Sequence, residues 1–160
     1  MLRSFFDYPD QAETKSADDL VLLPNWPEDK WSMLVKHGEL LSFHTGDDVI
    51  RHGDTERSFF IIIEGELEIL IPRGKSGQLK RTQTTGAGAV IGEQAFIDNK
   101  PRSATIRALT DGKLLRLSVD AFEVLAAYQP DIARDILFDL ARILSIKLRH
   151  ANLFISNWVK

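Results

Sequence analysis

The sequence predicts a mainly β domain with flanking helices: an eight-stranded jelly-roll barrel, entered by one helix and closed by two more, the last one long. Three observations point there. Between residues 39 and 117, short apolar or alternating segments recur, each ended by a glycine-bearing turn. After Ser118 the apolar spacing changes to three and four residues, the helical period. The chain has 160 residues, 44% of them hydrophobic and 27% charged, which suits one domain with a core of its own.

Residues 1–26 read as a polar leader, with a turn at Tyr8-Pro9-Asp10 and a short helical turn over 20–23 that Asp18 could cap. The domain proper is expected over 27–160. Pro27 suits a first helical position, and Glu28–His37 reads as a helix with Trp31, Leu34 and Val35 on one side. The barrel follows over about 38–118. Its strands are expected at 39–44, 48–52, 58–64, 66–71, 79–85, 89–91, 104–109 and 113–118. In the fourth, Glu66 and Glu68 alternate with Leu67, Ile69 and Ile71, the pattern of a half-buried strand. Residues 72–77 read as a loose polar hairpin loop. Many short strands with regular turns favour closure into a barrel or jelly roll.

The closing helices are expected over about 119–157, one at 120–128 and the other from Pro130 to about 155. On the second, Ala133, Leu137, Leu140, Leu144, Leu148, Ala151, Ile155 and Trp158 form an apolar stripe, and Ile132, Ile136, Ile143 and Ile146 widen it. About 26 helical residues span roughly 39 Å, longer than a small barrel is wide. Two apolar sectors call for two surfaces. The barrel is one, and a second copy of the same helix, making a homodimer, is the expected other; the alternative is a helix folded wholly onto its own domain.

Composition narrows the chemistry. A net charge of −3 and a pI near 5.8 argue against direct contact with DNA. With no cysteine there is no disulfide, no thiolate zinc site and no cysteine nucleophile, which suits a cytoplasmic protein. Residues 1–10 lack the apolar stretch of a signal peptide, and the longest apolar run, 59–63, is too short to cross a bilayer. His37, His44, His52 and His150 are scattered, so no metal site is expected. No serine–histidine–acid order or nucleophile turn is present, and Gly86-Ala87-Gly88 lacks the lysine of a P-loop. No catalytic residue and no cofactor is expected; the chain reads as a non-enzyme.

The most informative stretch is 92–105, Gly-Glu-Gln-Ala-Phe-Ile-Asp-Asn-Lys-Pro-Arg-Ser-Ala-Thr. It follows the strand end at Val90 and Ile91. Gly92 frees the backbone, Glu93 to Asp98 gives room for one or two helical turns, and Pro101 ends any helix. A short helix held between two strands offers the backbone N–H groups of Gln94 and Ala95 to an anion. Arg102 can close on the same anion with its planar fork. Glu93, a carboxylate, needs a donor such as a sugar hydroxyl. The ligand so described carries one phosphate charge and a nearby hydroxyl. A plainer reading makes Glu93 and Arg102 a surface ion pair that fixes a loop. Ser103 could reach the phosphate or base, or be an ordinary strand-edge serine. Gln94 is expected to face solvent and Thr105 to be a strand residue.

This stretch resembles the phosphate-binding cassette of the cyclic nucleotide-binding domain family, roughly Gly-Glu-x-Ala-Leu, a spacer, then Pro-Arg-x-Ala-Thr. Gly92, Glu93, Ala95, Pro101, Arg102, Ala104 and Thr105 match, and Phe96 stands where Leu is usual. The resemblance extends over about 38–150, through Gly46-Asp47, Gly53-Asp54, the run from Phe60 to Leu67, Gly86, Gly88 and Pro130-Asp131-Ile132-Ala133. It implies a catabolite-activator-like sensor domain without a DNA-binding module. It assigns the ribose 2′-hydroxyl to Glu93 and the cyclic phosphate to Arg102, with Gly92, Gln94, Ala95, Ser103 and Ala104 around them. The implied ligand is cyclic AMP or cyclic GMP, and the implied partner is an effector of unknown identity. In the catabolite-activator branch, adjacent Thr-Ser on the long helix meet the adenine amino group. Here counting puts Lys147 and Leu148 at those positions, leaving Leu148 as a candidate lid on the base. The rival to a sensor is a degenerate barrel that binds nothing and serves as a dimerisation or structural module.

Overall fold

A computed structural model describes residues 20–158, without the side chains of 154, 157 and 158. The expected leader up to residue 19, Asp18 and the Tyr8 turn included, lies outside the described residues. In the described part, helix α1 (Glu28–His37) leads into strands β1 (Glu39–Phe43), β2 (Asp48–Ile50), β3 (Ser58–Glu64), β4 (Leu67–Arg73), β5 (Gln78–Thr85) and β6 (Val90–Ile91). Helix α2 (Glu93–Asp98) separates β6 from β7 (Thr105–Ala108) and β8 (Gly112–Ser118), and α3 (Val119–Tyr128) and α4 (Pro130–Trp158) complete the order. Two antiparallel four-stranded sheets, β1-β8-β3-β6 and β2-β7-β4-β5, face each other as a jelly roll.

β3 shows why the core has two parts. Its run Phe59-Phe60-Ile61-Ile62 is buried on both faces, which a strand achieves only when both sides are covered. Phe60 and Ile62 join Phe43, Leu67, Ile91 and Leu114 inside the barrel. Phe59 and Ile61 point the other way and join Leu34, Leu117, Leu125, Ile136 and Leu140 under the helices. Period-two alternation thus bonds the barrel to its helical cover through one strand.

Three expectations need correction. Residues 72–77 were expected as a loop, yet β4 runs to Arg73, with Pro72 opposite Leu79. β7 pairs with β4 only over Leu67, Glu68, Ile69 and Leu70, so beyond Leu70 one flank of β4 is open and a proline lacking its N–H is tolerated. Pro27 is the N-cap of α1 rather than its first helical residue, with extended backbone at ψ 146°. Residues 20–26 are packed into the domain rather than serving as leader. Val21 bridges to Ala89, Leu22 is 1% exposed, and the Leu23 N–H donates to Asp139 at 2.6 Å. Trp26 and Lys30 both donate to Asp135 of α4, at 3.1 and 2.6 Å.

The closing helices start where their caps place them. The Ser118 hydroxyl accepts from the Ala121 N–H at 3.2 Å, which begins α3 at Val119, and Pro130 opens α4. α4 buries Ile132, Ala133, Ile136, Leu140 and Ile143 against its own domain. Beyond Ile146 it offers Leu148, Leu153 and Ile155 to solvent.

Candidate functional site

Strand β6 ends at Gly92, which takes the left-handed conformation (φ 76°) and turns the chain into α2. A side chain there would have no room, since an added Cβ would stand 2.6 Å from Nη1 of Arg102. α2 ends at Asn99, also left-handed (φ 55°), whose N–H returns to the Ala95 carbonyl at 3.1 Å. Phe96 anchors the helix. Its ring stands edge-on to Phe59 of β3 at 4.9 Å and to Phe122 of α3 at 5.4 Å. The N–H groups of Glu93, Gln94 and Ala95 find no backbone carbonyl among the described residues, as the first turn of a helix requires.

Arg102 is 3% exposed and tightly held. Nη1 donates to the carbonyls of Ser58 (2.8 Å) and Gly92 (2.7 Å), and Nη2 donates to Glu56 at 2.5 Å. Those bonds engage three of the five guanidinium N–H groups. Nε–H and one N–H on Nη2 have no protein acceptor among the described residues. No fully buried side-chain polar atom there lacks a partner, so Nε–H touches accessible space. Arg102 borders a hollow of about 360 Å³ that it shares with Glu56, Phe60 and Arg116, and also a cavity of about 140 Å³ beside α2. The polar wall of the latter is Glu93, Gln94, Arg102 and Ser103, and Ile50, Ile69 and Ile106 make its apolar wall.

Glu56 lies in the loop before β3 and gathers several donors. Arg116 reaches it at 2.6 Å through Nη2, and the Ser58 hydroxyl donates to it as well. Burial pushes the Glu56 carboxyl upward, but the hydrogen bonds from Ser58, Arg116 and Arg102 outweigh it and hold the group below its ordinary value. Glu93 is 4% exposed, and its Oε1 accepts from Nζ of Lys147 on α4 at 2.5 Å. The plain alternative of a surface ion pair between Glu93 and Arg102 does not describe the geometry. Both are buried, and each has its ion partner elsewhere.

The remaining sequence-predicted residues fall as follows. Gly92, Ala95 and Ala104 line the cavity. Gln94 and Ser103 are exposed at its rim, where the Ser103 hydroxyl donates to Gln94 Oε1 at 2.7 Å. Thr105 is buried in β7, and its hydroxyl accepts from the His52 N–H at 3.0 Å. Leu148, the expected lid on the base, is 62% exposed and does not line the cavity, whereas its neighbour Lys147 does. Sequence reasoning missed Glu56, the Ser58 carbonyl and Arg116. Glu56 lies 46 positions from Arg102, and no local spacing joins them. Among the described residues no cluster of His, Asp and Glu could hold a metal ion, and no helix is long and apolar enough to cross a membrane.

Two facing four-stranded sheets, the short helix α2 and a cavity beside the buried Arg102 define the class of domain. This chain belongs to the cyclic nucleotide-binding domain family, whose model matches residues 40–129. It is 29% identical over 145 residues to human cGMP-dependent protein kinase 2, covering 86% of this chain and 18% of that protein. It is 36% identical over 94 residues to a cAMP-dependent protein kinase regulatory subunit of Blastocladiella emersonii, covering 59% of this chain and 23% of the relative. The chain therefore spans about a fifth of the length of these relatives. A cyclic nucleotide-binding domain from Methylobacillus flagellatus superposes with a TM-score of 0.78 at 23% identity, over 91% of this chain and 81% of the other, which establishes the fold.

Proposed function

We propose that this domain is a sensor that binds a cyclic nucleotide, cyclic AMP or cyclic GMP, performs no chemistry on it, and signals by closing α3 and α4 over it. The observation that carries this is Arg102: buried, fixed by two carbonyls and Glu56, lining the cavity beside α2, with Nε–H and one Nη2–H matched by no acceptor among the described residues. A cyclic phosphate supplies the two acceptors those donors lack. Gln94, Ala95 and Ser103 line the same cavity, and the first-turn amides of α2 and the Ser103 hydroxyl are the groups they bring to that phosphate. Glu93 keeps one carboxylate oxygen for a ribose hydroxyl. Ligand affinity that is higher for the closed state than for the open one shifts the helices. The signal passes to an effector, in trans or fused, in the cytoplasm, and the exposed apolar end of α4 pairs with a second copy. The relatives' names include both nucleotides, so both belong in the test.

One observation favours a second reading, a barrel that has lost its ligand: both site charges already have protein partners, Lys147 and Glu56. Isothermal titration of the folded protein with each nucleotide separates the two. A sensor gives saturable heat that Arg102→Ala removes; a structural module gives none at millimolar ligand.

A further inference from the structure

The two charged groups of the site have opposite sign, line one cavity, and are not paired with each other. This is an unusual state for a buried carboxylate and a buried guanidinium. Glu93 directly follows Gly92, whose carbonyl is 2.7 Å from Arg102 Nη1. Arg102 has spare donors on Nε and Nη2. In a buried setting, attraction between such groups is strong and an unpaired carboxylate is costly. What each meets instead is a counter-ion from another element.

Glu56, from the β2–β3 loop, holds Arg102 on one side. Lys147, from the far element α4, holds Glu93 on the other. Lys147 Nζ also lies 3.5 Å from the Val90 carbonyl, at the end of the strand that leads into Gly92. The lysine thus touches α2 through Glu93 and β6 through Val90. It is the sole hydrogen-bond donor to the Glu93 side chain among the described residues.

We propose that Lys147 is a positioning residue of the site: by drawing Glu93 toward α4 it prevents that acid from closing on Arg102, and so keeps the hollow open for a ligand. Glu93 retains Oε2 for a ligand hydroxyl while Oε1 stays on the lysine, so acid, ligand and helix form one chain of contacts. The geometric half stands on the protein's own contacts alone. The affinity half rests on the cyclic nucleotide reading above.

The test uses the full chain with Lys147→Met, Lys147→Arg and Glu93→Gln, each first shown to be folded by circular dichroism. A crystal structure of ligand-free Lys147→Met is expected to show the Glu93 carboxylate hydrogen-bonded to the Arg102 guanidinium; Glu93 unmoved from its present place overturns the proposal. In titrations with cyclic AMP and cyclic GMP, Lys147→Met is expected to bind roughly tenfold more weakly, and Lys147→Arg to recover most of the loss. Binding of Lys147→Met as tight as that of the wild type also overturns it. If no variant and no wild type binds nucleotide, the sensor reading fails and the crystal structure alone decides the role of Lys147. Should Lys147→Met not fold, Lys147→Arg and Glu93→Gln carry the test. Full binding by Lys147→Arg with loss in Glu93→Gln supports the pair, and equal binding by both variants and the wild type refutes it.

Discussion

Arg102 and Glu56 meet at 2.5 Å although 46 positions separate them, and their ion pair sets the orientation of the guanidinium. Arg116 shares the same carboxylate and adds Glu39 at 3.0 Å, so a line of alternating charges runs away from the cavity. Glu56 has a folded-state carboxyl held below its ordinary value by these donors. Such a group contributes stability that is complete above the ordinary carboxylate range. The contribution is lost as pH falls through the lowered folded value. Wild type is therefore expected to exceed Glu56→Gln in stability near about pH 7 and to converge with it toward about pH 3. Denaturant unfolding of both proteins at the two pH values checks this, and a difference independent of pH would contradict it.

Gly92 faces two constraints at once, a left-handed backbone and a neighbouring guanidinium. Gly92→Ala should lose about 1–2 kcal/mol from the backbone alone. It should also displace Arg102, whose Nη1 lies 2.6 Å from the added Cβ. Thermal unfolding reads the first effect and ligand titration the second. An alanine variant of full affinity would show that the guanidinium is not needed where it stands.

Phe96 joins the cassette helix to β3 and to α3 through two edge-on ring contacts. Phe96→Ala should lower stability by about 3–5 kcal/mol, and Phe96→Leu by roughly half of that or less. If α2 passes its position to the closing helices through this ring, Phe96→Leu keeps ligand binding but weakens the ligand-induced protection of α3 in hydrogen exchange. Unchanged protection would place the coupling elsewhere.

Much of this was legible beforehand, for reasons visible in particular residues. Glycine turns and period-two alternation marked the strands to within a residue or two, and α2 and α1 have the expected bounds. Local chemistry controls such features. Pro72 misled because its tolerance depends on where β7 stops pairing, a long-range fact. Leu22 and Leu23 looked like part of a leader, and only Asp139 and Gly88, far along the chain, explain their burial. Gly92, Glu93 and Arg102 share one short stretch whose spacing alone suggests an anion site beside an acid, and all three line one cavity. Their counter-ions were not readable there, because Glu56 and Lys147 come from other elements and meet the site only after folding.

The exposed end of α4 suggests its own experiment. Leu148, Leu153 and Ile155 are each more than half exposed, and Leu148 and Ile155 fall on one helix face two turns apart. Sedimentation of the full chain is expected to give a dimer, and Leu148→Glu with Ile155→Glu a monomer that keeps its fold. A wild-type monomer at every concentration would mean that the helix serves its own domain alone.

The central claim is that Arg102 offers two free donors to a phosphate. Isothermal titration of wild type and Arg102→Lys with cyclic AMP and cyclic GMP tests it most directly. Lysine keeps the charge but lacks the planar fork, so affinity should fall by roughly one hundredfold, the equivalent of about 2.7 kcal/mol. Equal affinity in the two proteins, or no heat from folded wild type at millimolar nucleotide, would contradict it.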